Sequence, residues 1–325
     1  MTRPSACGRE EATIRVIVTG GAGFIGSTLV AALLGRGDEV VVVDALTPYY
    51  DPALKRAALD AVAGPGLTVV EADLNTVDLA PVLDGADAVV HLAGQPGVRK
   101  SWGDDFVAYT RANVDATQRV LESIVRTSPG TRFLYASSSS VYGQAETYPT
   151  HEEMLPRPLS PYGVTKLAGE HLTGLYAESF GVQTAAFRFF TVYGPRQRPD
   201  MAFTRFLGAA RDGSPITVYG TGEQIRDFTF VGDIVDALIA GLDATSALPR
   251  VMNLSGGSSV SVNEVLDTIA AVTGERLDVQ RLDPVRGDVF RTGGDSTRAR
   301  EALGWEPKVT LEEGLRRQWE WIRSL

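Results

Sequence analysis

The fold predicted for this chain is α/β: a doubly wound parallel sheet with a smaller, mixed α/β lobe at the C-terminal end. Three observations predict it. Short runs rich in Val, Ile and Leu alternate with longer amphipathic stretches, a glycine loop follows the first run directly, and an acid ends the second. Strand–helix alternation of this kind winds a parallel sheet with helices on both faces. The predicted strands are 14–19, 40–44, 67–71, 88–92, 132–137 and 184–189. Their near-continuous apolarity implies burial on both faces. Helices are predicted between them at 24–34, 106–126 and 161–180. Beyond Phe190 the texture changes. Pro and Gly crowd into Tyr193-Gly194-Pro195, Asp212-Gly213-Ser214-Pro215 and Tyr219-Gly220-Thr221-Gly222, and the alternation lapses. A helix at 231–242 and a strand at 251–254 are expected to return to the main sheet. An amphipathic helix at 311–323 follows, with Trp319 and Trp321 expected in the core. The predicted organisation is a disordered leader at 1–13, a first unit of 14–190 joined by about 229–255, and a lobe of 191–228 and 256–325.

A chain of 325 residues with 44% apolar and 22% charged positions has the length and composition of a globular enzyme. Its net charge of −9 argues against nucleic acid as a partner, because phosphates need a basic surface. An anionic small ligand remains compatible, since a few arginines can dominate one cleft. The one cysteine, Cys7, lies in the predicted leader, so neither a disulfide framework nor a metal cluster is expected. No apolar run is long enough to span a bilayer, and 14–19 is too short for a signal-peptide core. A reduced, cytoplasmic setting without a membrane partner is the expectation.

The glycine loop reads Gly20-Gly21-Ala22-Gly23-Phe24-Ile25-Gly26 and satisfies two overlapping spacings of a Rossmann fingerprint. A pyrophosphate can rest on backbone N–H groups at a helix start only where no Cβ blocks its approach. Asp44, 18 residues after Gly26, ends the next strand. A carboxylate there accepts from the adenosine ribose hydroxyls and repels a 2′-phosphate, so the loop points to NAD rather than NADP. Asp73, at the end of the following strand, is expected near the adenine.

Tyr162 and Lys166 are four apart, so a helix carries them on one face. A free tyrosine ionises near pH 10 and is a poor base at neutrality. An adjacent ammonium and an oxidised nicotinamide would both favour its phenolate. Lys166 would also hold the nicotinamide ribose. Ser138, 24 residues before Tyr162 and at a strand's carboxyl end, would hydrogen-bond the reacting oxygen and share its proton with Tyr162. The histidines 91, 151 and 171 need no catalytic part, and His91 reads as structural.

These residues resemble the extended short-chain dehydrogenase/reductase family, specifically its nucleotide-sugar epimerases. The likeness runs from Ile14 to about Leu315 and includes His91-Leu92-Ala93-Gly94, Asn113, Arg188 to Pro195 and Arg226-Asp227-Phe228. It implies bound NAD, a UDP- or dTDP-sugar substrate and a homodimer of paired helices, here 106–126 and 161–180. It also implies cofactor contacts at Gly20, Gly23, Phe24, Ile25, Gly26, Asp44, Asp73, Leu74, Leu92, Ala93, Gly94, Asn113 and Phe189, besides Tyr162 and Lys166.

Family members that eliminate water carry an Asp-Glu pair before Val-Tyr-Gly, and decarboxylases carry a Glu there. This chain has Ser139-Ser140 before Val141-Tyr142-Gly143, which leaves elimination without its acid and base. Epimerisation needs only Tyr162, Ser138 and NAD. The run from Thr191 to Met201 and the stretch Pro48-Tyr49-Tyr50-Asp51 resemble UDP-glucuronic acid 4-epimerases, in which residues matching Thr191 and Arg198 hold the sugar carboxylate. The planar two-pronged donor of arginine suits that group. The resemblance extends substrate contacts to Ser138, Ser139, Tyr162, Tyr219, Arg226, Arg286 and Asp288. Pro96 stands where glucose-type epimerases often carry lysine. Three enzymatic readings remain open: UDP-glucuronic acid 4-epimerase, UDP-glucose or UDP-N-acetylglucosamine 4-epimerase, and UDP-glucuronate decarboxylase. An NAD-binding regulator without turnover is the reading outside enzymes, and such proteins tend to lose the Tyr/Lys pair.

Overall fold

Seven strands form the central sheet of the computed structural model, which describes residues 13–283 and 289–325. Cys7 and all but one residue of the expected leader lie outside that range, as do Arg286 and Asp288. The first half alternates β1 (Arg15–Thr19), α1 (Phe24–Arg36), β2 (Glu39–Asp44), α2 (Pro52–Asp60), β3 (Leu67–Glu71), α3 (Ala80–Leu83) and β4 (Ala88–His91). The chain continues through α4 (Phe106–Thr110), α5 (Ala116–Thr127), β5 (Arg132–Ser138), α6 (Pro161–Phe180) and β6 (Thr184–Phe189). With β10 (Val251–Leu254), the order is β10-β6-β5-β4-β1-β2-β3, and every neighbouring pair is parallel. The chain reverses its direction of travel between β1 and β4. A crevice opens at the carboxyl ends of strands at such a switch point, and ligands bind there.

Alternation within each strand feeds two cores. Val16, Val18, Val40, Val42 and Val90 face one layer of helices, while Ile17, Val41, Val43 and Val89 face the other. Full burial of each such side chain contributes about 1.5–3 kcal/mol. The strand at 67–71 departs from the two-sided burial expected of it. As β3 it forms the edge of the sheet, and Val69 is half exposed. The helix expected at 106–126 is broken by a π-helical segment, Arg111–Asp115, which joins α4 to α5. Such segments frequently mark functional sites, and this one supplies Arg111 and Ala112 to the cavity described below.

The remaining chain contains β7 (Thr191–Tyr193), α7 (Ala202–Asp212), β8 (Ile216–Tyr219), β9 (Ile225–Phe230) and α8 (Val231–Asp243). After β10 come β11 (Ser258–Ser261), α9 (Val262–Thr273), β12 (Val279–Leu282), α10 (Thr297–Leu303) and α11 (Leu311–Arg323). β11-β9-β7 is a mixed three-stranded sheet, and β12 pairs with β8. Trp319 is buried on α11 and Trp321 packs against the same core.

Candidate active site

The glycine loop passes close to the end of β4. Gly20 has φ +71, and a Cβ on it would lie 2.7 Å from the Ala93 nitrogen. A Cβ on Gly26 would run into the Gly20 carbonyl oxygen and sit 2.8 Å from the Gly21 Cα. Only glycine lets α1 start this close to β1. Gly23 precedes α1 without a side-chain cap, so the positive end of the helix is left to a ligand. Asp44, at the tip of β2, is held by the loop itself. Its Oδ2 accepts from Ala22 N at 3.1 Å and its Oδ1 from Leu46 N at 2.9 Å.

A cavity of about 430 Å³ opens at these strand ends. Gly20, Gly23, Phe24, Ile25 and Gly26 line it from the loop and α1, with Asp44, Asp73, Leu74, Leu92, Ala93, Gly94 and Phe189 from the strand ends. Tyr162, Lys166 and Arg198 complete the expected set on its wall. Asn113 lies behind the wall instead. Its amide accepts from Gln95 N at 2.7 Å and donates to Thr165 Oγ1 at 2.9 Å, fixing the loop that carries Gly94.

α6 presents the reacting groups. Ser160 caps it, accepting from Gly163 N at 3.1 Å, and Pro161 occupies its first turn, so the helix begins one residue before Tyr162. The Tyr162 hydroxyl stands close enough to Ser138, at the end of β5, for that side chain to favour its phenolate. Ser138 Oγ also accepts from Ser140 N at 3.2 Å, making the serine run a capped turn. Lys166 Nζ donates to the Ala136 carbonyl at 2.9 Å.

Burial pushes the Tyr162 phenol up, opposed by the Ser138 hydrogen bond and by the charge of Arg198. The sequence reading did not foresee that Arg198 would bear on the phenol, and its charge favours the phenolate. Burial likewise brings Lys166 down to about 8, against the pull of Glu170. His91 is fully buried between Thr19 Oγ1 at 2.8 Å and Thr117 Oγ1 at 3.1 Å, and burial lowers it to about 3. A neutral, structural histidine results.

The residues expected to hold the sugar nucleotide are more scattered. Arg198 gives Nε and Nη2 to the two oxygens of Asp200, each at 3.0 Å, and lies over the Tyr49 ring. Ser138, Ser139, Thr191, Tyr219 and Arg226 are not among the residues lining this cavity. Thr191 pairs with Phe228 in the three-stranded sheet, the Arg99 guanidinium stands 4.7 Å over the Tyr219 ring, and Arg226 Nη1 donates to the Ile225 and Phe290 carbonyls. Thr191, Tyr219 and Arg226 stand on β7, β8 and β9, outside the seven-stranded sheet.

Residues 16–255 match the model of the NAD dependent epimerase/dehydratase family. The chain belongs to this family. A relative from Bacillus subtilis (strain 168), the uncharacterized UDP-glucose epimerase YtcB, is 39% identical over 96% of this chain and 99% of its own. UDP-glucuronate 4-epimerase 1 of Arabidopsis thaliana is 37% identical over 99% of this chain and 80% of its own. Among solved structures, UDP-glucuronic acid 4-epimerase from Bacillus cereus, in complex with UDP-glucuronic acid and NAD, superposes with a TM-score of 0.92. It is 36% identical, and the match covers 96% of this chain and 99% of that one.

The walls suit the cofactor for which the family is named. The close-packed glycines leave a cradle that a Cβ would fill, and Asp44 stands at the tip of β2 beside it. Among the described residues no group of three or more His, Cys, Asp or Glu side chains could hold a metal ion. Sequence reading missed Ser137, Tyr49, Tyr50 and Lys55 on the wall, and Glu170 behind it. For Glu170 the signal was present, since it stands four residues beyond Lys166 on the face that already carries Tyr162.

Proposed function

We propose that this protein interconverts UDP-glucuronic acid and UDP-galacturonic acid at C4 in an NAD-dependent reaction, as an isomerase. The observation that carries the reading is Tyr162 on the cavity wall with Ser138 beside it, Lys166 one turn further along α6 and Arg198 on the same wall. UDP-glucuronate 4-epimerases among the relatives at 34–37% identity support it. In this reading 14–190 with about 229–255 hold the cofactor, and 191–228 with 256–325 hold the nucleotide sugar.

Bound NAD supplies the hydride acceptor and donor for C4. Tyr162 takes the proton from the C4 hydroxyl and later returns it, while Ser138 keeps the oxygen and the phenol in line. Lys166 holds the nicotinamide ribose and keeps positive charge beside the phenol. Asp44 takes the adenosine ribose hydroxyls, and Asp73 and Leu74 lie beside the adenine. The sugar must turn over between the two half-reactions, so the UDP has to be held more firmly than the ring. Arg226, Tyr219, Arg286 and Asp288 are assigned to the UDP side. The oxidised glucuronate is a β-keto acid, and Arg198 with Thr191 keeps its carboxylate bond out of line with the carbonyl π system, suppressing loss of CO2.

Neutral UDP-glucose is a second reading, favoured by the ion pair in which Asp200 occupies Arg198. Incubation with each UDP-sugar and NMR of the products decides between them. UDP-galacturonic acid as the main product supports the proposal. UDP-pentose with CO2, or turnover of neutral sugars alone, overturns it. A homodimer through α4, α5 and α6 belongs to the same reading, supported by exposed Phe106 and Val107 on α4 and Val164, Leu175 and Phe180 on α6. One cysteine in the chain fits a reduced, cytoplasmic setting, and no helix among the described residues is long and apolar enough to cross a membrane.

A further inference from the structure

Three successive turns of α6 are fastened to three successive residues of β5. Tyr162 meets Ser138, the Lys166 ammonium donates to the Ala136 carbonyl at 2.9 Å, and Glu170 accepts from the Ser137 hydroxyl at 2.5 Å. The first two contacts carry the groups already assigned to the reaction. The third belongs to a buried carboxylate with a second anchor on β6. Arg188 donates Nε to Glu170 Oε1 at 2.8 Å and Nη2 to Oε2 at 2.7 Å, with both side chains about 5% exposed or less. Arg188 also stacks over the Tyr142 ring at 4.7 Å. Ser137 itself lines the cavity, so the carboxylate is one hydrogen bond away from it.

A buried ion pair is weak evidence for stability, because apolar residues of similar volume often serve the core as well. Its position beside a reacting ammonium supplies another reason. Lys166 is faced by Tyr162 and Glu170 on its own helix, by the Tyr135 ring 5.2 Å away and the Ala136 carbonyl on β5, and by His91 on β4. Asn113, of the π-helical segment, approaches it from the Gly94 side. Glu170 is the carboxylate in that set.

We propose that Glu170 is a positioning residue: anchored by Arg188 and Ser137, it fixes the third turn of α6 against β5 and supplies the negative charge that keeps Lys166 an ammonium. The inference rests on the roles assigned above to Tyr162 and Lys166. Burial brings Lys166 toward deprotonation and Glu170 opposes it. Loss of that charge removes the opposition, and the ammonium is then given up nearer neutrality.

The chain contains four lysines, Lys55, Lys100, Lys166 and Lys308, so labelled lysine side chains can be titrated by NMR in the NAD-bound protein and assigned one by one. In Glu170→Gln the midpoint of Lys166 is expected to fall by about one pH unit or more, with kcat at pH 8 down about tenfold and KM little changed. Glu170→Asp retains the charge and is expected to stay within about half a unit of the wild type. Glu170→Gln combined with Arg188→Met leaves no orphan charge in the core and, because the Arg188 cation goes with the carboxylate, is expected to show a smaller fall in the same direction. An unmoved Lys166 midpoint in either folded Gln variant overturns the proposal. If Lys166→Met and Tyr162→Phe both keep full turnover, the roles of that pair fail. If both variants are inactive and the midpoint is unmoved, Glu170 alone loses its part.

Discussion

The two sides of the active-site region are built from different materials. The cofactor side consists of backbone and short side chains at the ends of β1, β2, β4 and β5, each held by a neighbouring strand or helix. Asp44 is fixed by two backbone N–H groups, and Lys166 by the Ala136 carbonyl. The side proposed for the sugar relies on long side chains, Arg198 against Asp200 in the loop after β7 and Arg226 on β9 against neighbouring carbonyls. The contrast teaches how one site can be both stiff and permissive. Proton transfer needs atoms fixed within a fraction of an ångström, whereas a keto sugar that exposes both faces needs a wall that yields.

Variants on each side break or sharpen this contrast. Tyr162→Phe is expected to have the largest effect, a loss of interconversion of about 10²–10⁴-fold with NAD still bound after purification. Turnover unchanged in that variant would remove Tyr162 as the base. Gly26→Ala places a methyl against the Gly20 carbonyl. The loop must then shift, at a cost of about 1–3 kcal/mol, and the protein is expected to lose NAD on gel filtration. Retention of cofactor would show that the rigid side is less rigid than described.

Arg198→Ala should act chiefly through the sugar, with a smaller loss common to both substrates because its charge also favours the Tyr162 phenolate. A charge-assisted hydrogen bond contributes about 1.5–3 kcal/mol, so UDP-glucuronic acid is expected to lose about ten- to a hundredfold in kcat/KM, and UDP-glucose little. Equal losses for both would take the carboxylate away from Arg198. Asp44→Asn is expected to have the smallest effect, about tenfold weaker NAD with improved NADP, because one amide oxygen still accepts from the loop. Calorimetry with both dinucleotides checks it. A loss equal to that in Gly26→Ala would mean that Asp44 chiefly holds the loop.

Legibility in the sequence follows the same division. Near-continuously apolar strands buried on both faces and a glycine loop are local signals, so β1, β2, β4, β5 and β6 could be read from residues alone. β3 misled because its apolar run, Leu67 to Val70, is ordinary, and only its place at the sheet edge exposes Val69. α2 was missed although Asp51 and Pro52 mark its start, since Pro48 to Asp51 drew notice only through resemblance. On the sugar side, direction is set by pairing across long sequence separations, such as β7 with β9. Spacing carries no trace of it. The same applies to Arg188, which reaches Glu170 across a strand and a helix.

The most direct test of the whole account is UDP-glucuronic acid carrying deuterium at C4, followed by NMR to equilibrium in ordinary water. Reversible oxidation at a held NAD, with Tyr162 moving only the hydroxyl proton, predicts UDP-galacturonic acid with the deuterium still on C4. Deuterium lost to solvent, with protium at C4 of the product, would contradict it.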